Sequence, residues 1–160
     1  MKARLCSALL GVLVAGCASL VVDRQLPAYR LITDQGESAQ PVAREMLRYL
    51  AASDIEQVAS LSNAPERRAE VLRDYRQSVG DAEFRRVFAD YASHPPVAEL
   101  AIGERRLLVW DLGRGVGGQY FVRAGDRFVI DDVPSEERSE LARLLAAYRA
   151  GRLKPLSGTE

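Results

Sequence analysis

Length and charge limit the classes of protein to which this chain can belong. The chain has 160 residues, and its 22 basic and 22 acidic side chains give a formal charge of zero. This length predicts a single domain with its own hydrophobic core. No basic tail or stripe indicates a nucleic-acid partner. Both cysteines, Cys6 and Cys17, lie near the N-terminus, so the rest of the chain cannot form a zinc–cysteine site.

The first seventeen residues have the parts of a bacterial secretory signal. Lys2 and Arg4 supply positive charge, and the apolar run over 5–14 contains no charged side chain. The run is too short for a transmembrane anchor, which takes about 20 apolar residues. Residues 13–17, Leu-Val-Ala-Gly-Cys, resemble the lipobox of bacterial lipoproteins. That resemblance implies cleavage before Cys17 and lipidation of its sulfur; an ordinary cleaved signal with a free thiol at Cys17 is the alternative.

The lipobox resemblance implies how the chain is divided and where it is located. We expect a signal peptide at 1–16, a lipid-anchored tether at 17–37, one domain at 38–151 and a flexible tail at 152–160. Position 18 is Ala rather than Asp, which favours an outer-membrane location facing the periplasm over the inner membrane. Within the tether, residues 29–33 alternate and are β-prone, so docking as an edge strand is an open alternative.

Residues 39–92 have apolar side chains at helical spacing, which predicts several helices. Ser53 and Glu56 form a capping-box pair that indicates the start of the second helix. Asp81 is expected to cap the last of these helices. The helical part ends at Pro95 and Pro96, because proline cannot donate a backbone hydrogen bond.

Residues 97–133 alternate between apolar and polar side chains in four segments, which predicts a four-stranded antiparallel meander. Turns are expected at 103–104 and 124–126, and a flexible hairpin loop at 113–118. Ser135 is the predicted N-cap of a C-terminal helix that ends at Gly151. The predicted fold class is therefore α+β, with N-terminal helices, the meander and a C-terminal helix in a single domain.

The loop at 113–118 matches the literal pattern G-x-G-x-x-G. A dinucleotide site needs that pattern between a strand and a helix, whereas here a strand follows. We therefore interpret the segment as a hairpin loop and predict no nucleotide cofactor. Arg114, at its tip, is the candidate contact for a protein partner in the cell envelope.

Few other residues indicate catalysis or metal binding. His94 is the only histidine, and we interpret it as a loop residue. Asp126, Asp131 and Asp132 are close in sequence, but they lack the spacing of a calcium-binding loop. They are interpreted as solvated acids or helix caps. The sequence therefore predicts no catalytic residue, no cofactor and no metal.

Aromatic residues on the predicted strands are the candidate lining of a pocket. Trp110, Tyr120 and Phe128 are expected either to pack against the helices or to line an apolar cavity between helices and sheet. The order of elements over 40–133 resembles that of the NTF2-like (cystatin-like α+β) superfamily. The resemblance implies a cone-shaped cavity, although that fold has more strands than the four found here and lacks the final helix.

Three functional hypotheses follow. The first is a lipid-anchored cell-envelope protein with a non-catalytic binding or interaction domain facing the periplasm. The second is an accessory or inhibitor lipoprotein acting on an envelope enzyme or machine. The third is a small NTF2-like enzyme or ligand binder, in which Asp111, Asp131 or His94 would point into a cavity.

Overall fold

A computed structural model describes residues 25–153, and four helices form the first half of that region. They are α1 (Gln40–Ala51), α2 (Ile55–Ser60), α3 (Pro65–Val79) and α4 (Asp81–Ala92). Each buries the apolar side chains that the helical spacing placed on one face. This part of the prediction is confirmed. The longest of these helices has 15 residues, and no helix within 25–153 is long and apolar enough to cross a membrane.

The sheet has five antiparallel strands rather than the predicted four. They follow one another in space as they do in the sequence, and they are listed as β1 (Arg30–Leu31), β2 (Ala98–Ile102), β3 (Arg105–Asp111), β4 (Val116–Ala124) and β5 (Arg127–Ile130). The final helix, α5 (Glu136–Arg149), begins at the predicted N-cap, Ser135, whose side chain accepts a hydrogen bond from the backbone N–H of Arg138. The coarser prediction of an α+β fold with a C-terminal helix is confirmed.

The additional strand, β1, lies within the segment predicted to be a tether. Arg30 pairs with Ala101 and Leu31 with Leu100, and the Ile32 N–H donates to the Glu99 carbonyl at 2.9 Å. Of the two alternatives for residues 29–33, the structure therefore has the docked edge strand. A two-residue strand is too short to show alternation, so its apolar contacts with the sheet decide the pairing.

The hairpin loop between β3 and β4 is shorter than predicted. Val116, Gly117 and Gly118 belong to β4, and Gly117 lies opposite Trp110 in the register. A Cβ atom on Gly117 would lie 2.7 Å from the Tyr91 hydroxyl oxygen. Of the three glycines that make up the G-x-G-x-x-G pattern, Gly118 is therefore a strand residue, and the neighbouring Gly117 leaves room for the Tyr91 ring.

Two predicted helix caps were wrong. Asp54, not Ser53, accepts a hydrogen bond from the Gln57 N–H at the start of α2. Ser53 has φ of 60° in the left-handed region, and its hydroxyl donates to Asp81 at 2.6 Å. Asp81 is the first residue of α4, and Gly80 occupies the cap position with φ of 88°. The hydrogen bond between Ser53 and Asp81 joins two helix starts, which a local capping pattern cannot predict.

The sheet separates two apolar cores. Helices α1–α4 cover one face, and α5 covers the other. The first core has the larger aromatic content; its strand residues are Leu108, Trp110, Phe121, Phe128 and Ile130. The second lies between β2, β3 and α5; its buried members are Leu100, Leu107, Val109, Leu141, Leu144 and Leu145. Both faces of the sheet are therefore buried, which accounts for the long apolar run in β3.

A buried carboxylate from the sheet caps the first long helix. Glu99 on β2 is 3% exposed and accepts hydrogen bonds from the Ser38 hydroxyl at 2.6 Å and the Ala39 N–H at 2.7 Å. Ala39 itself offers no capping side chain to α1. A negative charge at a helix N-terminus is stabilised by the helix dipole. Glu99 therefore fixes α1 against the sheet.

Candidate functional site

The main concave feature is a cleft between α1, α4, the segment after α4 and strand β3, which we name the α1–α4 groove. Its volume is about 700 Å³, within the range of small-molecule sites. Its lining is mostly apolar and small; the residues are Gln40, Ala43, Arg44, Leu47, Arg48, Ala51, Ala89, Ala92, Ser93, His94, Pro95, Pro96, Leu108 and Trp110.

Small side chains keep the groove open. Ala43 and Ala51 on α1 face Ala89 and Ala92 on α4 across it. Ala89 and Ala92 are exposed to solvent, so larger residues would fit there only by filling the groove. The Pro95–Pro96 pair follows α4 and forms one rigid wall, because each proline ring fixes its own φ. The groove therefore follows directly from residues that the sequence places at helix positions.

Trp110 forms part of the floor and has an unusual polar environment. The residue is 3% exposed, and its ring packs edge-on to Tyr91 with centroids 6.3 Å apart. Among the described residues, none accepts a hydrogen bond from its buried Nε1–H. Buried polar groups are paired in the great majority of proteins, because an unpaired donor costs about 1–3 kcal/mol. This indole also borders a smaller cavity of about 200 Å³ beneath the helices.

Two arginines give the mouth of the groove a positive charge. Arg44 and Arg48 lie one turn apart on α1, and both are exposed. Arg44 forms no ion pair within residues 25–153, and the guanidinium of Arg48 is 4.0 Å from Glu45 and 4.5 Å from the centre of the Tyr49 ring. Among the described residues lining the groove, none carries a carboxylate. The groove therefore combines an apolar wall with two arginines, of which only Arg48 has an acidic partner among the described residues.

His94 and Arg114 lie near one edge of this groove, and both contact Asp90. The His94 Nδ1 atom is 2.8 Å from the Asp90 carbonyl oxygen and 3.7 Å from its carboxylate. Arg114 forms an ion pair with the same carboxylate and is 58% exposed. The predicted partner contact is therefore held by α4 rather than extended from a free loop. His94 and Asp111 are both exposed to solvent.

The three aromatic residues predicted to line a pocket do not line a common one. Trp110 and Phe128 lie on the sheet face covered by α1–α4, whereas Tyr120 packs on the α5 face. Phe128 contacts the guanidinium groups of Arg106 and Arg123, at 5.0 and 4.5 Å from its ring centre. Of the three, only Trp110 borders the α1–α4 groove.

The side-chain environments near Tyr120 and Phe128 shift two pKa values through burial. Burial raises the pKa of the Tyr120 phenol, which stacks under the Arg138 guanidinium at 4.8 Å. Burial also lowers the pKa of Arg106, which is 3% exposed. Arg106 donates to three backbone carbonyl oxygens, those of Glu37, Gly103 and Arg105. These partners indicate a structural role for Arg106.

Asp131 is fully buried and completely paired. Its carboxylate accepts hydrogen bonds from Asn63 at 2.9 Å and from Arg105 at 3.0 Å. Arg105 also pairs with Glu137, and Arg138 donates to the Asp131 carbonyl oxygen at 3.0 Å. The acid is therefore a cross-link between α5, the sheet and the segment after α2. Its partners leave no atom directed at a ligand.

Asp132 extends this cross-link. Arg68 binds its carboxylate through two nitrogens, at 2.5 and 2.8 Å, and the Ser62 hydroxyl donates to it at 2.6 Å. We name these paired groups, together with those around Asp131, the Asp131 network. Asp126, in contrast, is exposed in the turn after β4. The three acids that are close in sequence thus occupy different environments, and within residues 25–153 no three metal-ligating side chains cluster.

Of the residues that line the α1–α4 groove, sequence reasoning named Trp110 and His94 as possible cavity residues and missed the helix residues. A weak signal existed, because Ala43 and Ala51 on α1 and Ala89 and Ala92 on α4 place small side chains on two helix faces. Cys17, the predicted lipidation site, lies outside the described residues. Comparison of the chain with protein-family models, curated proteins and solved structures found no match.

Proposed function

We propose that this chain is a lipid-anchored cell-envelope protein whose domain binds an apolar small molecule in the α1–α4 groove without catalysing a reaction. The observation that carries the binding role is the mostly apolar groove of about 700 Å³, which the Trp110 side chain borders. The anchor is proposed from the lipobox at 13–17 and the cysteine at its end. The proposed location is the outer membrane, facing the periplasm.

A non-catalytic role agrees with the environments of the candidate acids and bases. Asp131 is buried and paired with Arg105 and Asn63, and Asp111 does not line the groove. His94 does line it, but its Nδ1 atom contacts the Asp90 carbonyl oxygen at 2.8 Å. A general acid or base must reach the proton that it transfers. Arg114 as a contact for an envelope protein is the second, less favoured proposal, because its guanidinium already binds Asp90.

The anchor is tested by metabolic labelling with palmitate in a bacterial host. We expect label in the wild-type protein and in Cys6→Ser, and none in Cys17→Ser. Cys6 is the matched control, because it is the one other cysteine and lies in the segment that cleavage would remove. Equal labelling of both variants would contradict the proposed attachment.

The groove is tested with uncharged phenylnaphthylamine, whose emission rises in apolar surroundings and whose absorption overlaps tryptophan emission. The chain has one tryptophan, so energy transfer reports on Trp110 alone. Ala92→Leu narrows the groove at α4 and should weaken saturable transfer. Ala146→Leu is the matched control, because Ala146 is also an exposed helix position but lies on α5. Equal transfer in both variants would place the probe elsewhere.

A further inference from the structure

The charge at the α1–α4 groove carries an inference that rests on the proposed function and specifies its ligand. Arg44 and Arg48 stand at the mouth, and no lining residue among those described is acidic. Some exposed helix arginines have close carboxylate partners, as Arg73 has with Glu56 and Arg85 with Asp81. Arg67 on α3 has none within residues 25–153, but it does not line the groove. Arg44 has no such partner within residues 25–153, and Arg48 has one only at 4.0 Å.

The apolar wall and the positively charged mouth of the groove would contact different parts of one ligand. Leu47, Leu108 and Trp110 offer an apolar surface to a hydrocarbon chain. Arginine forks bind carboxylates through charge-assisted hydrogen bonds. Ala89 and Ala92 have small side chains, so they place no bulky group between the apolar surface and the two arginines. A molecule that fits both must have an apolar body and an anionic end.

We propose that the α1–α4 groove binds a single-chain amphiphile with a carboxylate head group, of the fatty-acid class. The hydrocarbon chain lies against α1, α4 and Trp110, and the carboxylate faces Arg44 and Arg48. Such a carboxylate adds negative charge beside Arg44, which has no acidic partner within residues 25–153, and beside Arg48, whose acidic partner Glu45 lies 4.0 Å away. Binding is non-covalent, so no bond is made or broken.

The experiment compares three ligands with the same chain and different heads: dodecanoate, dodecanol and dodecylammonium, each kept below its micellar concentration. The full-length protein is titrated with each while Trp110 emission is followed. We expect dodecanoate to bind about tenfold more tightly than dodecanol, since each exposed arginine contributes up to about 1 kcal/mol. Dodecylammonium should bind most weakly.

Two double variants separate local charge from total charge. Arg44→Gln with Arg48→Gln should reduce dodecanoate affinity about tenfold and leave dodecanol affinity unchanged. Arg73→Gln with Arg143→Gln removes the same charge from exposed positions outside the groove and should leave both affinities unchanged. Because all four arginines are exposed, both variants should fold.

Each outcome has one meaning for this inference. The inference is supported if the wild type binds dodecanoate more tightly than dodecanol and the variant with Arg44→Gln and Arg48→Gln does not. Equal binding of dodecanoate and dodecanol, stronger binding of dodecylammonium, or equal effects of the two double variants would overturn it. If phenylnaphthylamine still binds in those cases, the proposed function survives; if neither the probe nor any dodecyl ligand binds, both are overturned.

Discussion

The Asp131 network and the α1–α4 groove both adjoin the same sheet, but the buried polar groups of the network are paired, whereas one at the groove is not. In the network, Asp131 and Asp132 receive hydrogen bonds from arginine, asparagine and serine side chains. In the groove, the Trp110 Nε1–H has no acceptor among the described residues. A fully paired network stabilises and specifies a fold, whereas a buried donor without an acceptor carries a desolvation cost that no partner offsets.

The largest expected effect comes from a substitution in the Asp131 network. Asp131→Ala removes the buried one of the two carboxylate partners of Arg105 and also leaves Asn63 without its acceptor, and it should reduce the free energy of unfolding by about 3 kcal/mol. Urea unfolding followed by circular dichroism measures the change. Asp126→Ala is the control, because Asp126 is exposed, and it should change stability by less than about 0.5 kcal/mol. Equal effects of the two variants would contradict a structural role for the network.

The second prediction concerns the packing beside the groove. In Gly117→Ala, the new methyl group would lie 2.7 Å from the Tyr91 hydroxyl oxygen and 2.8 Å from its Cε1 atom. We expect a loss of about 2 kcal/mol from overpacking, with altered Trp110 emission because Tyr91 contacts that ring. Gly115→Ala meets no atom within 4 Å and should be close to neutral. Thermal unfolding of the two variants provides the comparison.

The third prediction tests the carboxylate that caps α1. Glu99→Ala removes the acceptor for Ser38 and for the Ala39 N–H, and should cost about 2 kcal/mol in unfolding free energy. Hydrogen exchange should increase most in the first turn of α1. The control Glu104→Ala removes a carboxylate that is 69% exposed, and its effect should remain below about 1 kcal/mol. If hydrogen exchange in Glu99→Ala increases no more in the first turn of α1 than in the rest of the helix, this role is refuted.

The smallest expected effect concerns an exposed carboxylate. The Ser53 hydroxyl and then Arg85 lower the pKa of Asp81 below its ordinary value. Because the folded-state pKa is lowered, this pairing stabilises the fold above the unfolded-state pKa of about 3.9, and the stabilisation is lost as pH falls through the folded-state value. Ser53→Ala should raise the pKa of Asp81 in an NMR titration, whereas Ser60→Ala should not. If the pKa of Asp81 is the same in Ser53→Ala and Ser60→Ala, Ser53 is not the cause of the lowered value.

The sequence was sufficient for features that depend on local spacing. The four N-terminal helices, the meander after Pro95–Pro96 and the Ser135 cap all follow from residue patterns within a few positions of one another. Strand β1 was left open because Arg30 and Leu31 carry too little pattern of their own. The Ser53 cap was assigned wrongly because its hydroxyl binds Asp81, a distant residue.

The candidate site was harder to predict because it depends on how elements pack. The sequence identifies Trp110 but groups Tyr120 and Phe128 with it. Tyr120 lies on the other face of the sheet, and Phe128 lines a different cleft. The alanines of the α1–α4 groove resemble ordinary helix residues until α1 and α4 are placed side by side. Likewise, Arg44 resembles other surface arginines in the sequence, and only the packing of the helices places it beside the groove.

The most direct test of the groove as a ligand site is the indole Nε1–H resonance of Trp110, which is unique because the chain has one tryptophan. A proton–nitrogen correlation spectrum is recorded during titration with phenylnaphthylamine. A ligand site in the groove predicts a saturable shift of this resonance in the wild type and in Ala146→Leu, and a smaller shift at the same probe concentration in Ala92→Leu. An unchanged indole resonance at saturating probe, or an equal shift in Ala92→Leu, would contradict it.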